Sequence, residues 1–217
     1  LLQGPAGIGK SFLIRHLMNR LSTCEWRIIT TRGEITAQTR SYKPWKDLIR
    51  QIVPDGINGI QSCESYLSAI NSELTESASL LSEFLEYTVS DVSTSNLDPR
   101  TRKKRLHHLI SRILLDVIKE KPGLVIFENM HWWDASSMEL LEDFLSHLRV
   151  HRIFIVGIAR DDWDAYTIRS RPIVECVNLE ALHHNAIKDL IGEILKFEPH
   201  EDLLSFVKDR TKGNPLY

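Results

Sequence analysis

The sequence predicts an α/β protein, with a central parallel sheet of about five strands and helices packed on it. Three observations carry this. Short apolar runs alternate with segments of helical period along most of the chain. One run, Leu124–Phe127, is continuously apolar and ends in Glu128, as expected of a strand buried on both faces. A glycine-rich loop, Gly4 to Lys10, lies between the first apolar run and the first helical pattern.

The elements follow in order. Leu1-Leu2-Gln3 reads as the end of a strand, and Lys10 to Leu21 as a helix with Phe12, Leu13, Leu17 and Leu21 inward. Trp26 to Thr31 is rich in β-branched residues and reads as a second strand. Pro44 suits a first helical turn; Leu48, Ile49, Ile52 and Val53 give that helix its apolar face, and Pro54 stops it. Residues 55–98 read as an insertion, helical over Ser65–Ile70 and Leu74–Tyr87, then a polar, Ser-rich loop over Val89–Asp98. Leu106, Leu109, Ile110, Ile113, Leu114, Val117 and Ile118 form a helical stripe that Pro122-Gly123 ends. After the Leu124 strand, Asp134 precedes a helix with Met138, Leu141, Phe144, Leu145 and Leu148 inward. Ile153–Ile158 and Ile173–Val177 are the last strands, and Asn185–Leu195 and Glu201–Thr211 the last helices. The expected division is a core over 1–178 and the start of a helical subdomain over 179–217. The chain opens without Met inside an expected strand and stops after a Gly-Asn-Pro turn, so it reads as a piece of a longer protein.

Composition removes several classes. The 217 residues are 42% hydrophobic and 26% charged, so neither disorder nor a fibrous repeat fits. Lys plus Arg is 27 against 29 Asp plus Glu, a net charge of −2, which disfavours nucleic acid as a partner. No apolar run approaches the roughly 18 residues of a membrane span. Cys24, Cys63 and Cys176 form no CxxC pair and suit a reducing, cytoplasmic setting.

Gly4-Pro5-Ala6-Gly7-Ile8-Gly9-Lys10-Ser11 fits G-x-x-x-x-G-K-[ST]. Four residues between Gly4 and Gly9 let the backbone wrap a phosphate with its N–H groups inward, and the loop opens a helix whose N-terminus favours anions. Lys10 supplies a point charge for β- and γ-phosphates, and Ser11 a hydroxyl for Mg²⁺. The acid ending the Leu124 strand, Glu128, is the magnesium-side carboxylate. At the next position many ATPases with a phosphate loop of this pattern carry a second acid; here it is Asn129, which orients water but cannot take its proton. This argues for slow hydrolysis or for binding alone. Asp134 and Glu34 are the other candidate bases, although Asp134 also reads as a helix N-cap.

These residues resemble the STAND-type, Orc1-like AAA ATPase domain, a P-loop NTPase module found in soluble-type adenylyl and guanylyl cyclases and in MalT-like regulators. Three segments carry the resemblance: the loop just quoted, Glu128-Asn129-Met130-His131-Trp132-Trp133-Asp134, and Lys212-Gly213-Asn214-Pro215-Leu216-Tyr217. The family pattern in the second segment has two acids where this chain has Glu128-Asn129, and a small residue where it has Trp133. Tyr42-Lys43-Pro44-Trp45 and Gly157-Ile158-Ala159-Arg160-Asp161-Asp162 are lesser matches.

The resemblance implies an additional-strand P-loop fold with strand order 2-3-4-1-5. It implies ATP or ADP with Mg²⁺ as cofactors, held by Gly4, Gly7, Ile8, Gly9, Lys10, Ser11 and Phe12, with Pro215 against the adenine. Metal falls to Ser11 and Glu128, and the catalytic set is Lys10, Glu128, Asn129 and Arg160, the last sensing the γ-phosphate. It further implies a regulatory switch joined to effector and helical domains outside this segment, with protein partners or self-association. The alternatives are an AAA motor or loader and, further off, a P-loop small-molecule kinase. The basic run Arg100 to Arg105 reads as a solvated helix face, and Trp132 and Trp133 as packing residues.

Overall fold

The computed structural model describes residues 1–37, 39–87, 98–148 and 151–216. In order these form β1 (Leu2–Gln3), α1 (Lys10–Ser22), β2 (Arg27–Arg32), α2 (Lys43–Arg50), α3 (Ile60–Ile70), α4 (Ala78–Phe84), α5 (Pro99–Val117), β3 (Gly123–Glu128), α6 (Ala135–Ser146), β4 (Ile153–Gly157), α7 (Tyr166–Arg169), β5 (Val177–Asn178), α8 (His184–Leu195) and α9 (Glu201–Thr211). Short 3₁₀ turns lie at Ile35–Ala37, Ser72–Ser77 and Met130–Trp132. Alternating strands and helices with parallel pairing make this an α/β protein. The chain divides into two compact units, residues 25–156 and residues 1–24 with 157–217.

The larger unit, residues 25–156, is built on a three-stranded sheet in the order β2-β3-β4. β2 and β3 run parallel, with Arg27 opposite Gly123 and Arg32 opposite Glu128. Every residue of β3 before Glu128 is buried, as its unbroken apolar run demands. Trp45, Leu48 and Ile49 of α2, Leu109, Ile110, Ile113 and Leu114 of α5, and Phe144 of α6 are fully buried, together with Phe127. The Trp45 ring lies 5.5 Å from Phe127 and 5.9 Å from Phe144, and its Nε1 donates to the Ser137 carbonyl at 3.0 Å. Two helix starts are fixed by acids. Asp98 accepts from Arg100 and Thr101 N–H, each at 3.1 Å, and Asp134 accepts from Ser137 N–H at 3.0 Å. His107, buried, sits between the Asp143 carboxylate and the Tyr42 hydroxyl. Within the basic run, Arg102 pairs with Glu83 and Lys103 with Glu139.

The smaller unit holds the parallel pair β1-β5, with Leu2 opposite Val177 and Gln3 opposite Asn178. A single parallel bridge joins Leu2 to Ile158.

Four expectations need correcting. One continuous five-stranded sheet in the order 2-3-4-1-5 is not what the ladders give. They form a three-stranded sheet and a separate pair, because β1 and β5 have two residues each and Leu2 makes one bridge rather than a ladder. β5 begins at Val177, not Ile173. Residues 72–77 form a 3₁₀ turn before a shorter helix instead of one helix from Leu74 to Tyr87. In α1 the stripe registers on Ile14, so Phe12 (73% exposed) and Leu13 (44%) point outward, about 200° and 100° round the helix. The loop expected over Val89–Asp98 lies outside the described residues except for Asp98.

Candidate nucleotide-binding site

In the smaller unit, β1 feeds directly into the loop Gly4–Gly9 and the loop into α1. Gly9 caps α1 in the left-handed region at φ 102°, a conformation costly for a residue with Cβ, and its carbonyl accepts the first helical bond from Leu13 N–H at 3.0 Å. The N–H groups of the first turn, Lys10 to Phe12, therefore have no partner in the preceding turn and face the loop end of the helix, where its dipole is positive. Ser11 is exposed and Ile8 is buried against the loop, its N–H donating to Pro5 O at 3.4 Å.

Lys10 bends back over this loop, and its ammonium donates to Gly4 O at 2.6 Å and Pro5 O at 2.7 Å. Partial burial holds it below the ordinary lysine value; Asp161 opposes that shift, Arg160 adds to it and Asp162 opposes it. Arg160 thus shares the electrostatic surroundings of Lys10, as its place after the fourth strand suggests. It is positioned through backbone: Ala159 N–H donates to Leu2 O at 3.1 Å, and the buried Gln3 amide donates to Arg160 O at 3.3 Å. Asp161 and Asp162 were marked only as the end of the lesser match Gly157–Asp162, and Gln3 had no motif to mark it.

The C-terminal turn meets the same loop. Asn214 Nδ2 donates to Ala6 O at 2.8 Å, across 208 residues of sequence. Gly7 has φ 80°, and a Cβ on it would lie 2.6 Å from Leu216 Cβ and 2.8 Å from Asn214 Oδ1. On the other side a Cβ on Gly4 would meet Leu179 O at 2.7 Å. Pro215 itself is exposed. Gly4 to Phe12, Arg160 and the turn bearing Pro215 are thus one constellation within the smaller unit.

Glu128 and Asn129 belong to the larger unit. Glu128, half-buried, ends β3, and its carbonyl accepts from Gly33 N–H at 2.7 Å. Asn129 adopts the left-handed conformation, φ 54°, which Asn tolerates better than most residues, and its amide donates to Gly33 O at 3.3 Å. Sequence reasoning assigned Asn129 to water and missed this bond. Trp133 packs its ring 4.9 Å from Phe127 and 6.2 Å from Trp45, as a core residue. Asp134, besides capping α6, accepts from Tyr42 N–H at 3.3 Å, and Glu34 is exposed.

A family match extends this picture. Residues 1–156 fit the family described as AAA ATPase domain. The chain belongs to that family. An uncharacterized protein of Rhizobium meliloti (strain 1021) is similar, at 22% identity over 170 residues, which cover 75% of this chain and 16% of that protein. The chain therefore spans 16% of the length of the curated relative it matches. The family match takes in the phosphate loop, β3 and Glu128-Asn129, but ends before Arg160 and the Gly213-Asn214-Pro215 turn. Among the described residues no helix is long and apolar enough to cross a membrane.

Proposed function

We propose that this AAA ATPase domain binds Mg·ATP and ADP and acts as a slowly hydrolysing, nucleotide-dependent switch within a longer, cytoplasmic signalling protein. The observation that carries the reading is the loop Gly4–Gly9, closed by the Lys10 ammonium and leading into the positive end of α1. A nucleotide phosphate fits that donor set. It is anionic, it suits the loop and first-turn N–H groups, and Lys10 can exchange two neutral carbonyl acceptors for a charged one. Gly4, Gly7, Ile8, Gly9 and Phe12 contribute backbone to this cradle.

Mg²⁺ would take the Ser11 hydroxyl as a ligand and would supply neutralising charge between phosphate oxygens. A site of one or two protein ligands is ordinary for this ion. Arg160 is the residue that reads the γ-phosphate, and Pro215 lies against the adenine. Asn129 holds Gly33 through its amide and has no basic atom, so no proton leaves water through it. Slow turnover follows, and with it a role in signalling rather than mechanical work. Effector and helical domains elsewhere in the full-length protein would receive the signal.

The test is equilibrium binding of a fluorescent ATP analogue with Mg²⁺ to full-length wild-type protein and to Lys10→Ala. Binding lost only in the variant supports the reading, and equal affinity overturns it. A wild-type turnover above about 1 s⁻¹, inside the ordinary enzyme range, would favour a motor instead.

A further inference from the structure

We infer that Asn214 is a positioning residue of the phosphate loop, fixing the direction of the Gly7 N–H and linking loop geometry to helix α9. The inference rests on the nucleotide-binding reading and adds a residue to it. Asn214 Nδ2 donates to Ala6 O at 2.8 Å. The chain has no cis peptide among its described residues, so the C=O of Ala6 and the N–H of Gly7 point to opposite sides of one planar group. Anchoring the oxygen on Asn214 turns the Gly7 N–H away from the C-terminal turn. That N–H is one of the donors with which the loop meets phosphate. Without the anchor the Ala6–Gly7 peptide is free to rotate, because Gly7 at φ 80° has no Cβ to hold it.

The same residue is tied to its own turn and to α9. Its Oδ1 accepts from Leu216 N–H at 3.0 Å, and its backbone N–H donates to Thr211 O, the last residue of α9, at 3.0 Å. The turn has other supports: Gly213 O accepts from Leu182 N–H at 2.8 Å, and Gly213 N–H donates to Thr211 Oγ1 at 3.1 Å. Loss of the Asn214 side chain therefore leaves the turn in place and removes its grip on the loop. A displacement of α9 would, through Asn214, reorient a phosphate donor.

Two variants separate the parts. Asn214→Asp keeps an acceptor for Leu216 N–H and loses only the donor to Ala6 O. Asn214→Leu is neutral and loses both, so a common effect is not one of added charge. Full-length wild type, both variants and Lys10→Ala are titrated with Mg·ATP and Mg·ADP, and amide hydrogen exchange of the Pro5–Gly9 segment is followed without nucleotide. Both Asn214 variants should bind about three- to tenfold more weakly, the range of one hydrogen bond, with faster exchange in that segment. If wild type binds, Lys10→Ala does not, and the Asn214 variants match wild type in affinity or in loop exchange, the positioning role is overturned while the function stands. If wild type takes no nucleotide, the functional reading falls and this role falls with it.

Discussion

The Lys10 ammonium donates to the Gly4 carbonyl oxygen at 2.6 Å, so the cation of the phosphate loop closes the loop on itself. The geometry makes Lys10 a clasp, and the proposed function makes it a phosphate ligand as well. Its removal takes away the charge proposed to meet phosphate and the bonds that hold Gly4 and Pro5. Lys10→Ala should raise the Kd for Mg·ATP by ten- to hundredfold, about 1.5–3 kcal/mol for a charge-assisted bond. Titration with labelled nucleotide measures it, and a loss under threefold would contradict the proposed role.

Gly7 and Gly9 should respond differently to substitution, although both have positive φ. At Gly9 an added Cβ meets nothing within 4 Å, so Gly9→Ala carries only the left-handed strain, about 1–2 kcal/mol. At Gly7 the Cβ also collides with Leu216 and Asn214. Gly7→Ala should be the more destabilising in urea denaturation, and equal midpoints would show that the C-terminal turn yields without cost.

Asn129→Asp tests the absent second acid. By sequence logic alone, the new carboxylate should raise turnover. The structure adds a cost, since the amide that donates to Gly33 O becomes an acceptor facing an acceptor. The variant should lose about 1 kcal/mol, the scale of one part-buried hydrogen bond, whatever it gains in rate. Phosphate release and thermal melting, measured on one preparation, separate the two effects.

Asp134 caps α6 and holds Tyr42 N–H besides. Asp134→Ala should cost about 1–2 kcal/mol in stability. Asp134→Asn, which keeps a side-chain oxygen, should melt close to wild type. If Asp134→Asn folds yet abolishes hydrolysis, Asp134 is a base as well as a cap.

The cysteines should divide by exposure. Cys24 and Cys176 are exposed, whereas Cys63 is buried on α3 and burial pushes its thiol up to about 11. Mass spectrometry after brief maleimide treatment at pH 7.5 should find two sites modified and Cys63 modified only after unfolding. The raised folded value also has a sign. The unfolded thiol loses its proton near about 8.5, so the contribution is whole below that pH and declines as pH rises toward 11.

The sequence by itself determined the parts whose chemistry is local. A loop of Gly4, Gly7 and Gly9 before Lys10 needs only its own backbone to curl at a helix N-terminus. The run Leu124–Phe127 must be buried on both faces, and Asp134 caps the helix that follows it within four residues. Those features were legible because each depends on neighbours in the chain. Tertiary structure decided the rest. Nothing in the order of residues says that Asn214 reaches Ala6, since a hydrogen bond spanning 208 positions depends on how β5, α8 and α9 return the chain to β1. The amide of Asn129 looked available to water until Gly33 arrived beside it from the end of β2, a neighbour that only strand pairing supplies. Four of the five strands could be named from their composition, while β5 shares only Val177 with the run expected for it, and a two-residue strand makes too few backbone bonds for composition to specify its partner. Hence the split into β2-β3-β4 and β1-β5 was fixed by packing.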